Sequence, residues 1–137
     1  MDAAQLAKIE AIKQLKSRYF RFMDQKRWDE FAGLFTADCE QEWQEAPGSA
    51  PRCNRGRDAV VAFIRDSLEG IDSIHHGHDP DIALTGPASA TGVWALHDHC
   101  TRGGALVFHG AGWYEDEYRK QDGAWKIHRT RLRARPY

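Results

Sequence analysis

Apolar positions in the first quarter of the chain recur at three- and four-residue spacing. Leu6, Ile9, Ile12, Leu15, Tyr19 and Phe22 form one stripe, which predicts an amphipathic helix from Ala4 to Met23. The polar stretch "DQKRWDE" turns the chain, and Trp28, Phe31, Ala32, Leu34 and Phe35 mark a shorter second helix. "CEQEWQ" has the character of a strand. It runs into a loop, "EAPGSAPRCNRGR", rich in proline, glycine and serine. Helical spacing returns from Asp58 to Leu68 through Val60, Val61, Phe63, Ile64 and Leu68.

The second half changes period. "DIALTGP" predicts a short strand closed by a Gly-Pro turn, and "SATGVWALHDHC" alternates with a period near two. Ala90, Gly92, Trp94, Leu96 and Asp98 share one parity, and Val93, Ala95, His97 and His99 take the other. The segment from Ala105 onward predicts two strands joined at Gln121-Asp122-Gly123, since Asp-Gly is a strong hairpin signal. Helices followed by antiparallel strands predict an α+β fold, one sheet covered on one face by helices. Such a curved sheet leaves a cavity at its open end, with Phe20, Phe22, Trp28, Trp94, Phe108 and Trp113 as candidate walls.

At 137 residues the chain is expected to form a single domain. A formal net charge of -1 argues against nucleic acid as a partner, because phosphate binding needs a basic excess. No apolar run reaches a membrane-spanning length, and the first residues lack a secretory hydrophobic segment. Three cysteines without a paired motif suit a reducing cytoplasm.

Against this background a few polar residues stand out. Tyr19 lies on the apolar stripe, so its hydroxyl is expected to point inward and to need a partner. Asp24 at the helix exit is either a cap for the second helix or a buried carboxylate that fixes a histidine's tautomer. Asp98 continues an inward-facing apolar row, where an unpaired charge is costly; otherwise the strand has already ended there. His75, His76 and His78 crowd into four residues, yet neither "HHGH" nor "HDH" has a structural zinc spacing. A single histidine acting as general base is the more economical reading. Arg129, Arg131, Arg133 and Arg135 share one parity and form a solvated or subunit-facing stripe, with one member able to reach the cavity.

Three segments together carry a resemblance: "AIKQLKSRYFRFMDQKRWDEFAGLF", "HHGHDPDIALTGPASATGVWALHDH" and "YEDEYRKQDGAWKIHRTRLR". With a Tyr-x4-Asp pattern, an "HxGH-x-P-x-I" turn and "ATGxW-x-L-x-D", they resemble the SnoaL-like branch of the nuclear-transport-factor-2-like superfamily. Within it they are most similar to enzymes of the bile acid 7α-dehydratase and scytalone dehydratase type. The resemblance implies a cone-shaped α+β barrel, with N-terminal helices in the concave face of a mixed, mostly antiparallel sheet. It also implies a homotrimer, no metal or organic cofactor, and elimination chemistry on a small hydrophobic substrate, up to a polycyclic one.

The family's tyrosine falls on Tyr19, its aspartates on Asp24 and Asp98, and its histidine on His75. Its C-terminal arginine position lands on Ala134, so Arg133 or Arg135 must serve by a one-residue shift. Substrate contacts are then expected from Arg133, Arg135, Trp94, Trp113 and Phe20. The expected reaction is a dehydration in which His75 removes a proton activated by a carbonyl. Isomerisation or cyclisation on the same His-Asp dyad is the alternative, and a non-catalytic ligand-binding module is a third reading. His76 is expected to point away from the site, and His78 to sit at a rim or turn.

Overall fold

The computed structural model describes residues 1–137. Helix α1 (Ala3–Asp24) starts at a capping box, in which the Asp2 side chain accepts from the Gln5 amide and Gln5 answers to the Asp2 amide. It buries the stripe Ile12, Leu15, Lys16, Tyr19, Phe20, Phe22 and Met23. Lys26, at φ 57°, then redirects the chain into α2 (Trp28–Ala32). This second helix is shorter than its apolar spacing predicts. It stops at Gly33, and Phe35 instead opens strand β1 (Phe35–Trp43). Strand β2 (Arg52–Arg55) lies inside the stretch expected to be loop throughout, paired antiparallel to the end of β1. Helix α3 (Arg57–Ser67) follows Gly56, whose φ of 86° suits glycine.

Strands β3 (Asp72–Gly86), β4 (Ser89–Arg102), β5 (Ala105–Gln121) and β6 (Ala124–Ala134) form a meander. The β4–β5 turn at Gly103-Gly104 and the β5–β6 turn at Asp122-Gly123 both have two successive positive φ values. That is the mirror-image turn whose twist matches paired strands, as the Asp-Gly signal predicts. The full sheet has the order β2-β1-β6-β5-β4-β3, antiparallel except for the β1–β6 pair. Helix α1 lies against β3 and β6, and α3 against β1. The architecture is therefore α+β, with the helices packed on one face of a mixed sheet. No helix is long and apolar enough to cross a membrane.

Strand β3 begins nine residues earlier than expected, so the histidine cluster lies in the sheet and not in a turn. A bulge between His78 and Asp81 interrupts its pairing with β4. There Asp79 takes φ 50° and Pro80, which has no amide to donate, is accommodated. The extra residue inverts the parity of the strand: Ser73, His75 and Gly77 face inward before it, Ile82 and Leu84 after it. In β4 the expected alternation holds, with Ala90, Trp94, Leu96, Asp98 and Cys100 buried.

A polar network sits inside the apolar core. Lys16 and Asp116 are completely buried and paired at 2.8 Å. The Tyr118 hydroxyl donates to Asp116 (2.8 Å) and accepts from the Trp94 indole N–H (3.0 Å). The Lys16 ammonium also lies 3.7 Å from the Tyr114 ring centroid and 4.1 Å from that of Tyr19. Burial pulls the Lys16 pKa down, and the Asp116 charge opposes that shift. Removing one partner of a buried pair strands the other. Asp116→Ala is therefore expected to cost about 3–5 kcal/mol in urea unfolding. Replacing both residues by apolar ones, as in Lys16→Met with Asp116→Leu, should recover most of that loss.

Candidate active site

Asp24 ends α1 and is not a cap for α2, whose N-cap position is Arg27. Its carboxylate reaches across to β3 instead. It accepts the His75 backbone N–H at 3.0 Å, the Ser73 hydroxyl at 2.8 Å and the His75 Nδ1–H at 2.5 Å. With Nδ1–H donated to Asp24, the tautomer leaves Nε2 of His75 unprotonated. The His75 side chain is only 10% exposed and lines a cavity of about 240 Å³. At ~30 Å³ per water this is room for roughly eight waters.

The register places Asp98 directly across from His75, and it too faces the cavity. One of its carboxylate oxygens is buried without a hydrogen-bond partner. Burial pushes the Asp98 pKa up to about 6, against the pull of His75 and with the help of the Asp24 charge. Tyr19 completes the polar set. It is 3% exposed and lines the same cavity. Burial and then the charge of Asp116 raise its pKa, so the hydroxyl stays a donor at neutral pH. Tyr114, absent from the sequence-based candidates, lies beside it with ring centroids 5.8 Å apart. The signal that points to it is its shared parity with Asp116 and Tyr118 on β5. Met23, Phe63, Ile64, Leu68, Phe108 and Leu132 supply apolar walls.

A second cavity of similar size adjoins the first and shares Trp43, Glu45, Asp98, Phe108 and Leu132 with it. It runs toward the C-terminal segment, and Arg135 lines it. The other expected substrate contacts lie elsewhere. Trp94 is committed to Tyr118 in the core. Phe20 is buried over Gly77, where any side chain in place of glycine would collide with its ring. Trp113 is 41% exposed on the outer side of β5, below the Arg135 guanidinium. Arg133 is held on the same outer side by Glu42 and Glu115. Phe22 and Trp28 likewise pack outside the cavity lining, so of the proposed aromatic walls only Phe108 serves as one. His76 is exposed on the opposite side of β3 from His75. His78 sits beside the bulge, 3.1 Å from the Asp79 carboxylate.

Residues 4–131 match the SnoaL-like domain. Among solved structures, a protein of unknown function from Mycobacterium tuberculosis is similar at 26% identity and TM-score 0.84, over 98% of this chain and 75% of that one. A candidate scytalone dehydratase from Novosphingobium aromaticivorans is similar at 26% identity and TM-score 0.82, over 99% and 89%. A hexachlorocyclohexane dehydrochlorinase from Novosphingobium barchaimii, at 20% identity and TM-score 0.81 over 99% and 92%, shares the fold. The inward helices, the mixed sheet and the match over almost the whole chain lead to one conclusion: the protein belongs to the SnoaL-like domain family, of nuclear-transport-factor-2-like fold.

Proposed function

We propose that the protein is a cofactor-independent lyase that eliminates water from a small hydrophobic hydroxy-carbonyl substrate. The observation that carries this reading is the His75–Asp24 pair, with Nε2 of His75 free and the ring lining a largely apolar cavity. Nε2 takes the proton made acidic by the substrate carbonyl. Asp24 holds the ring and stabilises the imidazolium that forms. Tyr19 donates a hydrogen bond to the oxygen that gains enolate charge, with Tyr114 beside it. Asp98, protonated below about 6, gives its proton to the departing hydroxyl, which leaves as water. The proton taken by His75 then restores Asp98, its neighbour across the strands. The two adjoining cavities support a substrate longer than one ring, with Asp98 at their junction.

The similarity to a candidate scytalone dehydratase favours elimination over isomerisation on the same dyad. Mass spectrometry of products from a panel of cyclic hydroxy-ketones separates the two: the loss of one water supports the lyase, and an unchanged mass supports an isomerase. Reducing cytoplasmic conditions belong to the same proposal, supported by three free thiols. So does assembly as a homotrimer, against which a monomer mass in light scattering would count.

His75→Ala is expected to lower kcat by about 10²–10⁴-fold with the circular dichroism spectrum unchanged. An unaltered rate on a turned-over substrate removes His75 from the mechanism. The wild-type kcat/KM should fall as pH rises through about 6, as Asp98 loses its proton, and Asp98→Asn should lack that limb.

The same residue gives a stability prediction. A carboxyl whose pKa is raised by folding costs nothing below its unfolded value near ~4; the penalty grows as pH rises from there and is complete once pH exceeds its folded value. Asp98→Asn is therefore expected to stabilise the protein at pH 8 by about 2–3 kcal/mol, since each tenfold change in proton affinity is worth ~1.36 kcal/mol. Thermal unfolding at pH 4 and pH 8 checks this, and the gain should vanish at the lower pH.

A further inference from the structure

The proposed reaction engages one end of the first cavity. His75 and Asp98 stand on β3 and β4, at one edge of the sheet, and Tyr19 joins them from α1. The lining continues to β1, four strand spacings from β3 in the sheet order. At ~4.8 Å per strand that is about 19 Å along the sheet. The curvature that turns both strands toward one cavity makes the direct path shorter.

On the inner side of β1 stands Gln41, 7% exposed and lining this cavity. Its register partner on β2, Asn54, donates from Nδ2 to the Gln41 Oε1 at 2.9 Å, and the Gln41 Nε2 has no partner within the protein. On the other side Thr130 of β6 has a buried hydroxyl that is also without a partner, so these two neighbours do not satisfy each other. An amide with its oxygen held and its nitrogen free presents a donor to whatever fills the cavity. The nearby polar residues of the lining are differently placed. The Ser67 hydroxyl donates to the Phe63 carbonyl at 2.7 Å, and Glu45 is exposed to solvent.

We infer that Gln41 is a specificity-determining residue that binds a substrate oxygen remote from the reacting carbon. A buried donor without an acceptor carries a desolvation penalty, which a ligand oxygen removes and a hydrocarbon does not. The substrate class is then narrower than a hydrophobic hydroxy-ketone. It has two linked or fused rings, with the reacting carbonyl at one end and a carbonyl or hydroxyl oxygen at the other. Asn54 positions the donor, because it fixes which end of the Gln41 amide meets the cavity. The inference rests on the first cavity being the substrate site, as proposed above, and holds whether the bound molecule loses water or is isomerised.

Two ketones test it by binding alone. 4-Phenylcyclohexanone and 4-(4-hydroxyphenyl)cyclohexanone differ by one oxygen at the end remote from the carbonyl, and neither has a hydroxyl that elimination could remove. Calorimetric titration into the full chain is expected to show the hydroxylated ketone binding about three- to tenfold more tightly, the net effect of one neutral hydrogen bond. Gln41→Met, of similar length and without the amide, should bind the two equally. Gln41→Asn keeps the amide but draws it back by one methylene, and should lose the preference as well. Asn54→Ala should reduce the preference, since the Gln41 amide is then free to turn. His75→Ala should leave it in place, because the base stands at the other end. A wild type that keeps the preference yet turns over no hydroxy-ketone would count against the elimination and support the role of Gln41. The inference is overturned if the wild type binds the two ketones equally, or if either Gln41 variant keeps the full preference with its circular dichroism spectrum unchanged.

Discussion

Much of the site depends on one carboxylate. Asp24, the last residue of α1, receives a backbone amide, a hydroxyl and a ring N–H, all from the opening residues of β3. These bonds dock the end of the helix onto the sheet and select the His75 tautomer at the same time. The residue that secures the packing is thus the one that prepares the base. Asp98, one strand away, has an oxygen left unpartnered, and burial pushes its pKa up to about 6. Two carboxylates near one histidine thus differ in their surroundings: Asp24 accepts three hydrogen bonds, and Asp98 keeps an oxygen without a partner.

Deeper in the barrel the Lys16–Asp116 pair performs a second kind of electrostatic work. It is isolated from solvent, and the aromatic faces of Tyr19 and Tyr114 lie within ~6 Å of its cation, the range of a cation–π contact. The floor of the cavity is therefore polar at its base and apolar at its surface. Tyr19 packs its ring against that buried cation and also lines the cavity, in a medium where hydrogen bonds are strong.

The legible parts of the chain were those where periodicity and burial coincide. The alternation of β4 announced the inward position of Asp98, and Asp122-Gly123 announced its hairpin. The histidine-bearing half of β3 was hidden because its inner face, Ser73, His75 and Gly77, looks onto a cavity and a helix end, so no apolar residue marks the period. Lys16 stood on the apolar stripe of α1, yet its partner lies a hundred residues further along and no local pattern joins them. Aromatic residues misled for a related reason. Trp94, Phe20 and Trp113 are large and apolar whether they face core, cavity or solvent, and only the completed sheet tells these apart. Among the C-terminal arginines, outward parity placed Arg133 among glutamates, and Arg135, just past the end of β6, borders the second cavity with its guanidinium over the outer-face Trp113.

The parallel pairing of β1 with β6 has a consequence for how this chain comes to exist. The first strand made is bordered on one side by the last. Until β6 has emerged, β1 has only the four-residue β2 beside it and cannot join the meander of β3, β4 and β5. At ~5–20 residues per second, synthesis leaves that strand without its β6 neighbour for several seconds. The ends of the chain are thus tied together in time as well as in space. A nascent chain cannot assemble its site piecemeal, because the inner wall closes only when nearly every residue is available.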